Sequence, residues 1–359
     1  MKRIGLLTSG GDCQGLNAAL HGVAKALYEA YDEDNIEIYG ISDGYRGLIN
    51  GEYRLMKRED FSGILCRGGT ILGTSRQPFK LMRVVDENSV DKVKAMKDNY
   101  KKMKLDCLVV LGGNGTHKTA NLLSEEGLNV VSMPKTIDND VWGTETTFGF
   151  QSAVDIATNV LDCIHTTATS HGRVFIVELM GHKAGWLTLH AGIAGGADVI
   201  LIPEIPYTIE SIIKAIRRRN RMGKRFSILA VAEGAISKKE AALTKKELKA
   251  KRAASPYPSI SYDIAKQLEE ATGQEVRVTV PGHFQRGGSP CPFDRTLSTR
   301  FGAAAAQLIV NKQYGNMVAL RNEEIVPVPL SEVAGKLKTV PPKCSLVQTA
   351  RQIGVSFGD

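Results

Sequence analysis

The chain has 359 residues, 43% hydrophobic and 23% charged, the balance of a folded protein of about two domains. That excludes a disordered chain, and 36 glycines without a three-residue period exclude collagen. The formal charge of +8 is local: residues 211–225 hold seven basic and no acidic residues, and 236–252 hold seven basic against two acidic, so the remainder is acidic on balance.

Short apolar or β-branched runs alternate with longer amphipathic ones. Strands are expected at Ile4–Thr8, Ile36–Ile41, Cys107–Leu111, Asn129–Met133, Val174–Leu179, Val199–Ile202, Phe226–Val231 and Val276–Val280. Helical patterns such as Asn17–Tyr31, Thr116–Glu126 and Ser152–Thr167 lie between several of them. This is the rhythm of an α/β protein with parallel sheets. The segment 237–261 breaks it; it reads as a charged helix and a Pro-containing loop inserted on the surface, outside the chemistry. Neither basic stretch interleaves aromatics for base stacking, so a solvated helix face plus this insertion accounts for the charge more simply than a nucleic-acid patch.

Six scattered cysteines form no C-x-x-C, which points to a reducing cytoplasm rather than a disulfide scaffold or a zinc knuckle. The apolar start is too short for a signal peptide, and no stretch reads as a membrane span.

The residues after the strands carry the information. Ser9-Gly10-Gly11-Asp12 follows the first strand, and Gly112-Gly113-Asn114-Gly115-Thr116 follows the third. Pro134-Lys135-Thr136-Ile137-Asp138-Asn139-Asp140 comes next, then Met180-Gly181-His182, Ala232-Glu233-Gly234 and Pro281-Gly282-His283-Phe284-Gln285-Arg286. In open α/β sheets ligands bind at the carboxyl ends of strands. Glycine turns leading into helices turn backbone N–H groups toward an anion. The fingerprints G-x-x-x-x-G-K-[ST] and G-x-G-x-x-G and the kinase H-R-D loop are absent, so a phosphate site here is of another type. Asp138 and Asp140 sit two apart, and in extended geometry both would face one side, one as a base and one toward a magnesium ion. An Asx-rich turn is the plain alternative. Arg76, Arg173, Arg277 and Arg286 supply guanidinium groups suited to phosphate oxygens and, with His283, suggest two phosphorylated ligands.

Together these segments, with Arg67-Gly68-Gly69-Thr70-Ile71-Leu72-Gly73-Thr74-Ser75-Arg76, Gly10 to Ala19 and Gly282 to Pro290, resemble the phosphofructokinase family, in order from residue 4 to about 335. The resemblance is to the bacterial branch whose members divide between ATP and pyrophosphate as donor. It implies two Rossmann-like three-layer domains with mainly parallel sheets and the active site in the cleft between them. The donor (ATP/Mg) domain would be 1–149 plus about 285–335, and the fructose 6-phosphate domain 150–284 plus about 336–359.

The implied reaction is phosphoryl transfer from MgATP to the 1-hydroxyl of fructose 6-phosphate, the committed step of glycolysis. Asp138 would be the base, beside Thr136, Ile137 and Asp140. Gly11, Arg76, Gln77, Gly113, Asn114, Gly115 and Thr116 would hold the nucleotide phosphates, and Asn114 and Asp140 the magnesium. Met180, Gly181, His182 and Glu233 would hold the sugar. His283 and Arg286 would bind the 6-phosphate, with Arg173 and Arg277 reaching it from a neighbouring subunit of a homodimer or homotetramer.

Three departures stand out: Asn114 where most of the family has Asp, His182 where an Arg is common, and His21 and Lys25 where allosterically regulated bacterial members often have arginines. Lys135 is what pyrophosphate users carry and Gly115 what ATP users carry, so ATP is favoured and pyrophosphate is the alternative donor. A non-catalytic sugar-phosphate-binding subunit would need loss of the base, yet Asp138 is present. An NAD kinase would leave the segment around His283 and Arg286 unexplained.

Overall fold

The computed structural model describes residues 1–84 and 91–359. Among these residues the strands are β1 (Lys2–Thr8), β2 (Ile36–Ile41), β3 (Tyr53–Met56), β4 (Cys107–Gly112), β5 (Val130–Pro134), β6 (Val174–Leu179), β7 (Val199–Leu201), β8 (Ser227–Ala232), β9 (Val276–Thr279), β10 (Asn316–Arg321) and β11 (Glu324–Pro329). The chain divides into two compact units, residues 1–152 with 286–338, and 153–285 with 339–359.

The first unit is built on a seven-stranded sheet in the order β11-β10-β5-β4-β1-β2-β3. β1 pairs in parallel with β2 and β4, β4 with β5, and β5 with β10. β4 and β5 are buried at every position, the continuous apolar run expected of central parallel strands. Successive crossovers from β1 lead one way to β2, and from β4 the other way to β5. The strand order therefore reverses between β1 and β4, which is where an open sheet binds ligands.

Three strands escape the sequence reading. β3 is a short antiparallel edge strand with two exposed residues. β10 and β11 form an antiparallel hairpin whose two turn residues, Asn322 and Glu323, both have positive φ without glycine. The helices Leu16–Tyr31 and Pro292–Val310 meet backbone to backbone: a Cβ on Gly302 would lie 2.6 Å from Val23 N, and one on Gly22 2.8 Å from Thr299 O.

The second unit holds a four-stranded, wholly parallel sheet in the order β7-β8-β6-β9. Helices Trp186–Ala194, Ile209–Arg221 and Ile260–Thr272 connect its strands. Ile212, Ile216, Ile264 and Leu268 from the last two bury against Ile176, Leu229 and Val231. The basic run 211–225 is the solvent side and end of Ile209–Arg221, with Arg219 turned back to Asp198 at 2.6 Å. The charged segment 237–261 forms two short helices, Lys238–Ala241 and Lys245–Ala253, instead of one, each started by a capping box. It is anchored to the sheet, because the Ser259 hydroxyl and the Ser261 N–H donate to buried Glu178 at 2.6 and 3.1 Å. No helix among the described residues is long and apolar enough to cross a membrane.

Candidate active site

At the switch point of the first unit, the turns after β1 and β4 are tied together. Ser9 N–H donates to Leu111 O at 2.9 Å, and the Thr116 hydroxyl to Ser9 O at 3.4 Å. Gly10 is held at φ +91° by its N–H to Ser75 O and by the Thr74 hydroxyl on its carbonyl. Three cations converge here. A Cβ on Gly11 would lie 3.0 Å from Arg286 Nη1 and 3.4 Å from Arg76 Nη2, so glycine leaves room for their close approach. The Lys135 ammonium donates to Gly11 O from below, and Arg286 Nη1 to Asp12 O at 3.0 Å. The Nε of Arg286 is buried without a partner, an unsatisfied cationic donor. Gln77 is half-buried next to exposed Arg76.

The helix Asn114–Glu125 begins after Gly113 with no side-chain cap, leaving its first N–H groups for a ligand. Gly115 is exposed, with nothing within 4 Å of a Cβ placed there. The Asn114 amide donates to Lys336 O, which leaves its oxygen as the free end.

The loop after β5 holds the carboxylates. Asp138 N–H donates to the Thr136 hydroxyl at 3.1 Å, and the Thr147 hydroxyl to Thr136 O at 2.7 Å. The side chain of Ile137 is wholly buried, so only its backbone is available to a substrate. Asn139 has φ +51°, a left-handed residue that breaks the extended geometry expected for Asp138 and Asp140. The two carboxylates nevertheless remain close enough to sense each other. Burial, and then the Asp138 charge, push the Asp140 carboxyl up to about 6. Burial lowers Lys135, against the attraction of Cys13, Asp138 and Asp12. Asp138 Oδ1 is buried with no hydrogen-bond partner.

No cluster of three or more His, Cys, Asp or Glu suited to a metal occurs among the described residues. Magnesium does not need one, since it takes one or two carboxylates and fills its shell with phosphate oxygens and water. The orphan oxygen of Asp138, the strained ionisation of Asp140 and the free amide oxygen of Asn114 fit such an ion.

In the second unit, β6 and β8 are neighbours, and their carboxyl ends carry Met180-Gly181-His182 and Glu233. His182, at φ +52°, donates its N–H to Glu233 Oε1 at 2.8 Å, and Glu233 N–H goes to Leu179 O at 2.8 Å. Gln285, which sequence reasoning passed over, accepts the Met180 N–H at 3.3 Å and donates to Gly282 O at 3.0 Å. His283 is exposed. Glu178, Glu233, Arg252, Ser255, Tyr257 and Ser259 are among the residues lining a cavity of about 310 Å³, so the 237–261 segment borders this strand end.

The structure does not bring Arg173 and Arg277 to these strand ends. Arg173 precedes β6 and Arg277 is the second residue of β9, so both stand at the amino end of the sheet. At about 3.3 Å per residue that is roughly 20 Å from Met180 along β6. There both arginines pair with Glu275.

A family model described as phosphofructokinase matches residues 3–309. The chain belongs to the phosphofructokinase family. It is 58% identical, over 100% of its length and 98% of the relative's, to a protein of Spirochaeta thermophila named ATP-dependent 6-phosphofructokinase. It is 49% identical over 99% of its length to ATP-dependent 6-phosphofructokinase 3 of Bacteroides thetaiotaomicron. Among solved structures, the Pichia pastoris phosphofructokinase in the T-state superposes with a TM-score of 0.77 at 32% identity. That match covers 92% of this chain, which spans only 35% of the yeast one. The Rossmann-like α/β architecture with mostly parallel sheets is thus that of the family.

Proposed function

We propose that this chain is an ATP-dependent 6-phosphofructokinase. The observation that carries the reading is the buried, unpartnered Oδ1 of Asp138 in the loop after β5, the strand next to a switch point whose glycine turn is ringed by Arg76, Lys135 and Arg286. Phosphoryl transfer needs positioning and neutralisation of spread negative charge more than covalent help. Asp138 accepts the proton of the sugar 1-hydroxyl as that oxygen bonds to the γ-phosphorus. The bond from that phosphorus to the bridging oxygen breaks, and ADP leaves with the electron pair. An attacking alcohol needs such a carboxylate within hydrogen-bond reach.

Gly11, Arg76, Gln77 and the N–H groups of Gly113 to Thr116 hold the donor phosphates. Asp140 and Asn114 hold magnesium, which supplies charge neutralisation on the transferring phosphate when bound. Met180, Gly181, His182 and Glu233 orient the sugar, with the backbone of Thr136 and Ile137. His283 and Arg286 take the 6-phosphate; the position of Arg286 beside Gly11 also puts its charge near the donor. Arg173 and Arg277 stand at the far end of their own sheet, which supports a homodimer or homotetramer in which they serve a neighbour's 6-phosphate. The setting is the cytoplasm.

The donor follows from two residues. Lys135 is engaged beneath Gly11 as a prop of the turn, which asks nothing of the donor's size. Gly115 leaves open space beside the helix start, where a nucleoside's α-phosphate fits. Initial rates with fructose 6-phosphate, Mg²⁺ and either ATP or pyrophosphate test this: ATP turns over faster. Faster turnover with pyrophosphate overturns the donor assignment and makes Lys135 the deciding residue.

A further inference from the structure

We infer that Lys338 is a positioning residue for the Asp138-Asn139-Asp140 loop, and that residues 336–338 act as a strap holding this loop in register with the Gly113–Thr116 turn. The inference rests on reading Asp138 as the base. Lys338 lies about 200 residues downstream of the loop, in a segment with no motif, yet its ammonium makes three hydrogen bonds to Asn139 and the chain that follows it. It donates to Asn139 Oδ1 at 2.8 Å, Thr144 O at 3.0 Å and Glu145 O at 2.7 Å. Its backbone N–H donates to Asp140 O at 2.9 Å, and Leu337 bridges Val141 in antiparallel fashion. One residue earlier along the strap, Lys336 O accepts the Asn114 amide. A three-residue stretch thus touches both the carboxylate loop and the start of the donor-phosphate helix.

The need for such a strap is local. Asn139 is a non-glycine residue at φ +51°, a conformation visited singly and held by side-chain hydrogen bonds. Its Oδ1 accepts from Thr147 N–H at 3.1 Å as well as from Lys338, and its Nδ2 donates to Glu145 O at 3.4 Å. The torsions of Asn139 set how Asp138 and Asp140 diverge, so whatever fixes Asn139 fixes the base. An ammonium suits the place because it is a compact charge with three donors. Burial lowers the pKa of Lys338 to about 7, against the attraction of Asp140 and Glu145, the carboxylates near it. A misplacement of a reacting group by about 1 Å costs around 100-fold in rate. Loss of the strap therefore acts on turnover and not on substrate affinity.

The test is Lys338→Ala in the full-length protein, with kcat and KM measured for both substrates, thermal melting, and rescue by added ethylammonium. The expected result is a fall in kcat of tenfold or more with both KM values within threefold. Ethylammonium should restore turnover saturably, and tetramethylammonium, which has no N–H, should not. A fall under threefold, a rise in KM alone, or equal rescue by both cations overturns the inference. Should Lys338→Ala fail to fold, Lys338→Gln carries the test, since it keeps two N–H donors and loses the charge and the third; wild-type kcat there overturns the inference. Asp138→Asn separates the two readings. If it is active, the base assignment fails. If it is inactive while the Lys338 variants keep wild-type kcat, only the strap fails.

Discussion

Placing a carboxylate at position 115 should move stability and activity in opposite directions. Gly115 is the second residue of the helix Asn114–Glu125, is exposed, and offers nothing within 4 Å of a new Cβ. Gly115→Asp therefore meets no clash. It removes a helical glycine, a gain of about 0.5–1 kcal/mol, and adds an acidic group to the first turn, a further 0.3–1 kcal/mol or so. The melting temperature should rise by a few degrees, at roughly 2–4 °C per kcal/mol for a domain of this size. The same carboxylate meets the α-phosphate of ATP. Two like charges about 4 Å apart cost roughly 1–4 kcal/mol between water and an effective dielectric of 20. At about 1.4 kcal/mol per decade this is a loss of roughly 5- to 1,000-fold in kcat/KM for ATP. The assay is initial rate against ATP at saturating fructose 6-phosphate and Mg²⁺, beside a melting curve of the free protein. A variant that melts higher and keeps kcat/KM for ATP within twofold would refute the placement of the nucleotide at this helix start.

Asp138→Asn should lower kcat by about 10²–10⁴-fold with little change in KM for fructose 6-phosphate, and retention of half the turnover would remove it as the base. Arg173→Ala and Arg277→Ala should each raise KM for fructose 6-phosphate far more than KM for ATP, by the loss of a charged contact of about 1.5–3 kcal/mol. Mixed oligomers of Arg173→Ala and Asp138→Asn chains should regain activity, and hybrids with none would count against a shared site. Asp140→Asn should stabilise the ligand-free protein while impairing turnover. The Asp140 carboxyl is raised to about 6 by burial and Asp138, so in wild type it loses stability as pH rises from about 4 to 6. The melting advantage of the variant should grow over that window toward an upper bound of about 3 kcal/mol and then level off, and an advantage independent of pH contradicts the burial argument.

The parallel core was legible because central strands such as β4 and β5 are buried on both faces and read as uninterrupted apolar runs. β3, β10 and β11 were not, because edge and hairpin strands carry mixed exposure, prolines at 327 and 329, and a turn without glycine. The glycine turns and the Asp138 loop announced themselves by composition, and the switch point explains why those turns share one place. The expected strands already put Arg173 and Arg277 at the starts of two strands and His182 beyond the end of one; what the sequence did not show is that both arginines meet at Glu275. Nor does any local signal mark Lys338, whose role depends on a tertiary contact between segments distant in sequence. The left-handed torsion of Asn139 was likewise invisible, although asparagine is among the residues that tolerate it.

The first unit has a consequence for synthesis on the ribosome. Its sheet is interrupted in sequence by residues 153–285 of the second unit, and β10 and β11 arrive only after them. At 5–20 residues per second, the stretch between the end of β5 and the start of β10 leaves β5 an open edge for roughly 9–36 s after it emerges. During that interval the Gly22 face of the first long helix also lacks the helix that later closes against it. The nascent chain thus carries, for several seconds, a half-finished sheet able to pair with a neighbouring nascent chain on the same messenger. Codon-level slowing between residues 134 and 316 would lengthen that exposure, and slowing after 338 would not.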